Sequence, residues 1–338
     1  MVITSKDNQA IKEIKKLKEA KFRKSKYIVE GMKMLEEAFQ ENVKIETIII
    51  RQGEEKILER VNELLGEKNV ERKNANNNEE NIENLSNIKN KMLNSKVSNK
   101  PKVIEVSENV FNQLTDVKTP QGVIAVVYKN IENNINKESY NEDSKCNKKI
   151  NSDEAGKSNT NNKQEDEISK IDLNADYILA IDGIQDPGNM GTIIRTADSA
   201  NLKQILVSKN TVDAYSSKVI RSTMGAIYRV KIIECKNLKD TLENLKNYNF
   251  KIVSTSLDTN NSIYDIDYSK KIVVIGNEGN GISKEIQDIS DYKVKIPMLG
   301  KTESLNASVA AGVMIYEYIR QKLRAGKWLT NEVHKNKY

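Results

Sequence analysis

The sequence predicts an α/β protein in which a small α/β unit precedes a larger domain built on a mostly parallel sheet. Three observations carry this. Short apolar runs alternate with helix-spaced segments over most of the chain. Two Asn-, Lys- and Glu-rich stretches, about 71–100 and 130–170, have no apolar period and interrupt that alternation. Three strand ends in the second half run into long loops rich in small and polar residues. Regular alternation of strand and helix gives a parallel sheet with helices on both faces. Such sheets gather ligand sites at the carboxyl ends of their strands.

In the first unit, Tyr27, Ile28 and Val29 read as a short strand and residues 32–40 (MKMLEEAFQ) as a helix. Residues 45–50 (IETIII) read as a strand and 54–66 as a helix. A strand at 102–105, a helix near 107–114 and a strand at 122–127 (GVIAVV) follow the first polar stretch. That stretch is therefore an expanded surface loop inside one folded unit, residues 1–129. Residues 130–172 read as a flexible linker. In 173–325, strands are expected at 177–181, 205–207, 230–233, 251–255, 272–275 and 294–296. Helices fill the gaps, a long one spans about 305–323, and 326–338 form a polar tail.

With 338 residues the chain has room for two domains. No apolar run approaches the roughly 18 residues of a membrane helix, and residues 1–16 have no apolar h-region, so a cytoplasmic protein is expected. Cys146 and Cys235 lie far apart, and the single histidine, His334, sits in the polar tail. Neither a disulfide framework nor a metal site is expected, and the cysteines have no reactive context. The net charge is +6, and both ends are basic: nine Lys/Arg face four Asp/Glu in the first 30 residues. Basic ends fit a polyanion such as RNA, and equally fit solvated helix faces.

The first unusual loop runs from Asp182 to Thr192 (DGIQDPGNMGT) and opens a helix carrying Arg195. Pro and Gly set the turn, and Asn189 is a candidate cap or ligand at the helix start. An ordinary turn with a surface Arg reads equally well. The second, Gly276-Asn277-Glu278-Gly279-Asn280-Gly281, lets backbone approach a ligand closely. It is neither GxGxxG nor a P-loop, and Glu278 is either an acceptor or an N-terminal helix charge. The third runs from Ile296 to Ser308, with Ser304 as the expected N-cap of the long helix. Ala307, Ala310, Ala311 and Gly312 give that helix a small-residue surface for close packing.

Together these loops resemble the SPOUT class of methyltransferases, specifically its SpoU/TrmH family of RNA ribose 2′-O-methyltransferases. The matching stretches are DGIQDPGNMGTIIRTAD (182–198), VVIGNEGNGIS (273–283) and IPMLGKTESLNASVAAGV (296–313), with RSTMGA (221–226) between. KFRKSKYIVEG (21–31) and TPQGVIAVV (119–127) resemble the L30e-like substrate-binding domain that often precedes this catalytic domain. The resemblance implies a trefoil knot holding bent S-adenosylmethionine, and a homodimer with the active site at its interface. The implied cofactor positions are Thr255, Gly276, Asn277, Gly281, Ile296, Met298 and Leu305. The implied catalytic positions are Arg195, Asn189, Glu278, Ser304 and Asn306, and the implied RNA contacts are Arg23, Lys24 and Arg195.

A ribose 2′-OH is mostly protonated at neutral pH, so methyl transfer from a sulfonium needs positioning and help with the proton. Guanidinium groups stay protonated in proteins. Arg195 is therefore expected to act electrostatically on a phosphate and on the developing alkoxide. Glu278 and Ser304 would shape the pocket, and Asn189 and Asn306 would orient neighbours. The expected substrate is 23S rRNA. The alternatives are a tRNA 2′-O-methyltransferase and a non-catalytic ribosome-assembly factor. A nucleotide-binding dehydrogenase ranks last, because GxGxxG is missing after the first strand of the catalytic domain.

Overall fold

The computed structural model describes residues 2–66, 100–129 and 167–326. The polar stretches at 71–99 and 130–166, with Cys146, and the tail at 327–338, with His334, lie outside the described residues. The chain forms two compact units, and their division does not follow chain order. One takes residues up to Lys129 together with Ile184–Lys203 and Val212–Lys231. The other takes the described residues from 167 to Gly183, Gln204–Thr211 and those from Ile232 on.

In the first unit, β1 (Val2–Ile3), β2 (Lys26–Glu30), β3 (Ile45–Arg51), β4 (Lys102–Val106) and β5 (Val123–Tyr128) form a sheet of order β1-β4-β3-β5-β2. β4 is parallel to β1 and β3, and β5 is antiparallel to β2 and β3. The helices are α1 (Gln9–Lys16), α2 (Met32–Gln40), α3 (Glu55–Leu64) and α4 (Glu108–Leu114). Neither β1 nor α1 was expected: the strand is two residues long, and α1 reads as part of a charge run. Its Ile11 and Ile14, one turn apart, are buried, and Asn8 caps it by accepting the Ala10 N–H at 3.0 Å. These residues pack with Leu17, Ile49, Phe111 and Ile124 in one core cluster. Full burial of a side chain such as Phe111 is worth about 2–3 kcal/mol.

The same unit contains α5 (Pro187–Ser199), α6 (Ser217–Thr223) and a 3₁₀ turn at Ala226–Tyr228. Specific contacts tie these to the N-terminal sheet. The Tyr27 and Tyr215 rings lie 4.8 Å apart, and Tyr228 Oη donates to the Met34 carbonyl at 3.1 Å. Arg229 pairs with Glu37 at 2.8 Å, Asp198 at 2.9 Å and Glu41 at 3.3 Å.

In the second unit, β6 (Tyr177–Asp182), β7 (Gln204–Ser208), β8 (Lys231–Cys235), β9 (Lys251–Thr255), β10 (Lys271–Gly276) and β11 (Tyr292–Val294) make a six-stranded sheet. Its order is β11-β9-β10-β6-β7-β8. β6, β7, β9, β10 and β11 pair in parallel, as the alternation predicts. The helices are α7 (Leu238–Lys246), α8 (Lys284–Ile289) and α9 (Ala307–Arg324). Ile178, Ala180, Leu206, Leu242, Phe250, Ile272 and Val274 lie in one core cluster.

Two expectations need correction. β11 runs over 292–294, not 294–296. Asp291 precedes it, donating its backbone N–H to the Ile252 carbonyl and accepting the Ile252 N–H on its carboxylate, each at 2.9 Å. After Val294 the backbone of Lys295 turns to Asn261 and Ile263, so the apolar VKI pattern pointed two residues too far. The expected linker at 130–172 also ends early. Glu167 is buried and accepts from the Lys236 N–H at 3.3 Å and from Thr241 Oγ1 at 3.4 Å, while Ile171 joins the core. Isolated apolar residues in a polar run have no period to reveal this. Deleting 135–165 is expected to leave thermal unfolding unchanged. Extending the deletion to 172 removes Ile171 and Glu167, which costs about 3 kcal/mol and lowers the melting temperature by about 6 °C or more. Differential scanning calorimetry of both deletions reads this directly.

Candidate functional site at the strand ends

Parallel register sets the carboxyl ends of four strands side by side. Gly276 of β10 pairs with Asp182 of β6, and Val294 of β11 pairs with Thr255 of β9. The loops 256–262, 277–283 and 295–306 therefore leave from one edge of the sheet, where such folds bind ligands.

The loop after β10 is a tight hairpin. Asn277 and Gly281 exchange backbone hydrogen bonds at 2.9 and 3.0 Å. A Cβ on Gly276 would overlap the backbone of Gly281 and Ile282. Gly281 has φ +67°, which favours glycine. The Asn277 side chain braces the hairpin: Oδ1 accepts from the Gly279 and Asn280 N–H groups at 2.9 Å each, and Nδ2 donates to the Gly183 carbonyl at 2.7 Å. Asp182 adds a second brace, accepting the Ser283 N–H at 2.8 Å. Asn277, expected among the cofactor contacts, thus holds the loop in shape. Sequence reasoning missed the bracing role of Asp182 and Gly183; the signal was an Asp-Gly pair ending the strand beside the one that carries the glycines.

Asn277→Ala unties Gly279, Asn280 and Gly183 at once. It is expected to cost about 1–3 kcal/mol and to speed amide exchange over 276–283. Asn277→Asp keeps the acceptor and should fall between. Hydrogen exchange with mass spectrometry separates the two variants.

Ile296, Met298 and Leu305 of the third loop are half-buried, while Leu299 is fully exposed. The expected cap at Ser304 is corrected: α9 begins at Ala307, and its N-cap is Asn306. Asn306 Oδ1 accepts from the Ser308 N–H at 2.9 Å, Ser308 Oγ at 2.7 Å and the Val309 N–H at 3.4 Å. Ser and Asn are both good caps, so the sequence did not separate them. Ser304 is exposed and has no hydrogen-bond partner among the described residues. Thr255 Oγ1 donates to the Val274 carbonyl at 3.2 Å, so its hydroxyl is committed within the sheet. Glu278 sits exposed in the hairpin turn, and α8 starts beyond it at Lys284, so Glu278 is not that helix's first-turn charge.

Asn189 and Arg195 lie on α5 in the first unit. The cap there is Asp186, whose Oδ1 accepts the Asn189 N–H at 2.7 Å; Asn189 is buried in the first turn and does not cap. Arg195 is exposed and makes no ion pair or hydrogen bond among the described residues. Arg23, expected to contact RNA, is only 8% exposed. Its Nε donates to Asp213 at 2.8 Å, and Nη1 donates to the Leu17 and Lys18 carbonyls at 2.8 and 2.7 Å. It is a structural cation with its donors committed, and Lys24 beside it is exposed. Burial pushes the Cys235 thiol up to about 12, far from a reactive thiolate. Among the described residues no His, Cys, Asp and Glu cluster is arranged to hold a metal, and no helix is long and apolar enough to cross a membrane.

The sheet and its loops define an α/β protein whose parallel strands end side by side in three loops, the candidate site. Residues 176–316 match the SpoU rRNA Methylase family, and residues 8–125 match an MRM3-like substrate binding domain. The chain therefore carries a SpoU-type methylase domain and an MRM3-like domain. It is 37% identical over 146 residues to a Staphylococcus epidermidis protein of the TrmH family of tRNA/rRNA methyltransferases, covering 43% of this chain and 59% of that one. The chain thus spans about three-fifths of the length of the curated relatives it matches. The fold is shared with an AdoMet-bound rRNA methyltransferase from Sinorhizobium meliloti, with a TM-score of 0.66 at 23% identity over 95% of this chain and 98% of that one. It is also shared with an RNA 2′-O ribose methyltransferase, with a TM-score of 0.58 at 24% identity over 96% of this chain and all of the other.

Proposed function

We propose that this chain is an S-adenosylmethionine-dependent enzyme that methylates a ribose 2′-OH in RNA, with 23S rRNA as its target. The observation that carries the reading is Arg195, an exposed guanidinium with no ion pair among the described residues, within the stretch that matches the family. The solved relative named as a 2′-O ribose methyltransferase supports the reaction, and the rRNA methyltransferase of the same fold supports the substrate.

The strand-end loops fit the cofactor. Thr255 and Gly276 end β9 and β10 at the edge where the loops leave, and half-buried Ile296, Met298 and Leu305 would offer apolar surface for an adenine. Gly276 admits no side chain there. S-adenosylmethionine, when bound, supplies an electrophilic methyl group on a sulfonium. Asn277 and Asp182 keep the hairpin shaped, so that Gly276 and Gly281 meet the ligand through backbone. Arg195 neutralises the RNA phosphate and the charge that develops on the 2′-oxygen. The 2′-oxygen would take the methyl as the S–CH3 bond breaks and the sulfonium leaves as its neutral thioether, and the hydroxyl proton would pass to solvent. Ser304 and Glu278 line the approach, Asn306 fixes the start of α9, and Asn189 sets the first turn of the Arg195 helix.

On this reading residues 1–129 are an L30e-like substrate-binding domain and 173–325 the methyltransferase domain. The latter would be trefoil-knotted, dimeric and cytoplasmic. The return of α9 from the edge strand β11 to the central strand β10 is the kind of path a knot requires. A tRNA target is the second reading, favoured by the tRNA/rRNA name of the Staphylococcus epidermidis relative. The test is methyl transfer from radiolabelled S-adenosylmethionine to undermethylated total RNA. Label in alkali-resistant dinucleotides of 23S rRNA supports the proposal. Label in tRNA moves the target, and neither label nor cofactor binding refutes the enzyme.

A further inference from the structure

The family motif RSTMGA contributes Arg221, which the proposed chemistry leaves without a role. It stands on the rim of a shallow, solvent-open cleft that lies wholly within the first unit. Leu17, Ile28, Leu114, Ile220 and the Tyr215 ring give the cleft apolar walls. Most charges in it are already spent. Lys18 pairs with Asp116 at 2.7 Å, Arg23 with Asp213 at 2.5 Å, and Ser217 Oγ donates to Asp116 at 2.9 Å.

Three polar groups keep unused capacity. Arg221 is exposed and makes no hydrogen bond or close ion pair among the described residues, although its charge acts on the Glu30 and Asp116 carboxylates across the cleft. Ser216 Oγ is buried and has no hydrogen-bond partner among the described residues. Glu30 is half-buried and accepts from Thr115 Oγ1 at 2.6 Å. A carboxylate has about four acceptor positions, so Glu30 retains acceptor capacity toward the cleft. Apolar walls, an acceptor and an orphaned hydroxyl inside, and an exposed cation at the rim match a nucleotide. The walls suit a base, the carboxylate suits an exocyclic amino group, and the guanidinium suits a phosphate.

We propose that this cleft seats one nucleotide of the RNA, its phosphate on Arg221 and the amino-bearing edge of its base on Glu30 and Ser216. The proposal rests on RNA as the substrate and adds a base preference to it. Cytosine presents an N4 amino donor where uracil presents an O4 acceptor, so Glu30 favours the first and repels the second.

The test is fluorescence anisotropy with the full chain and labelled oligocytidylate and oligouridylate of equal length. The wild type is expected to prefer oligocytidylate by about tenfold, the scale of one base-edge contact. Glu30→Gln can both donate and accept, so it should bring the two oligomers within about twofold of each other. Arg221→Ala should weaken both by about fivefold through one lost phosphate contact. Circular dichroism melts check that both variants fold. Equal binding of the two oligomers by the wild type, or a preference unchanged in Glu30→Gln, overturns the subsite and leaves RNA as substrate untouched. No binding of either oligomer, with no methyl transfer to total RNA, overturns the RNA reading and the subsite with it.

Discussion

Replacing Arg195 by alanine is expected to lower methyl transfer about 10²–10³-fold, the scale on which a single preorganised charge stabilises a transition state. The affinity for S-adenosylmethionine should not change, because Arg195 belongs to the unit that does not carry the cofactor loops. Nor should stability: the side chain is exposed and has no partner among the described residues, and such surface substitutions stay within about 0.5 kcal/mol. Arg195→Lys keeps the charge but loses the planar fork, so it should recover part of the rate. Single-turnover methylation together with cofactor titration separates these effects. Near-normal turnover in Arg195→Ala removes Arg195 from the mechanism, and a loss of cofactor affinity assigns it a different role.

Gly276→Ala is the second large effect. A single methyl would have to occupy the space of the Gly281 and Ile282 backbone. Backbone that is itself cross-linked, Asn277 to Gly281 and Asn277 to Gly183, cannot retreat the way a flexible side chain can. The substitution is expected to cost about 3 kcal/mol, the upper part of the usual overpacking range. It should also abolish measurable cofactor binding by opening the hairpin. Gly281→Ala is a useful contrast. No atom lies within 4 Å of its would-be Cβ, so only the positive φ opposes it, at about 1 kcal/mol. Calorimetric titration of both variants with the cofactor should rank them in that order. Equal loss would mean that the glycines serve conformation alone, not close approach.

Much of this molecule was legible in order along the chain. Ile178, Val273 and Val274 sit in continuous apolar runs bounded by Gly and Asp, and they became central parallel strands because only strands buried on both faces tolerate such runs. Misplacements came where side chains, not periodicity, set the boundary. Asp291 moved β11 by accepting a backbone N–H, and Asn306 took the cap expected of Ser304. The helix α1 hid in a lysine-rich run because two isoleucines one turn apart are a weak signal until a sheet lies beneath them.

By itself the sequence determined the α/β class, the parallel order of strand and helix, and the three loops that carry the family's motifs, because these depend on local residue type and spacing. Only the tertiary structure decided what each polar group had left to offer. It committed Arg23 to Asp213 and two carbonyls, and Asn277 to its own hairpin and the Gly183 carbonyl, while leaving Arg195 exposed and without an ion pair among the described residues. It also grouped the Arg195 helix with the N-terminal sheet instead of with the strands that flank it in sequence. The physical reason is common to both. Many hydrogen-bond and ion-pair partners come from residues distant in the chain, 190 positions apart for Arg23 and Asp213 and 194 for Tyr228 and Met34, and no local pattern records them.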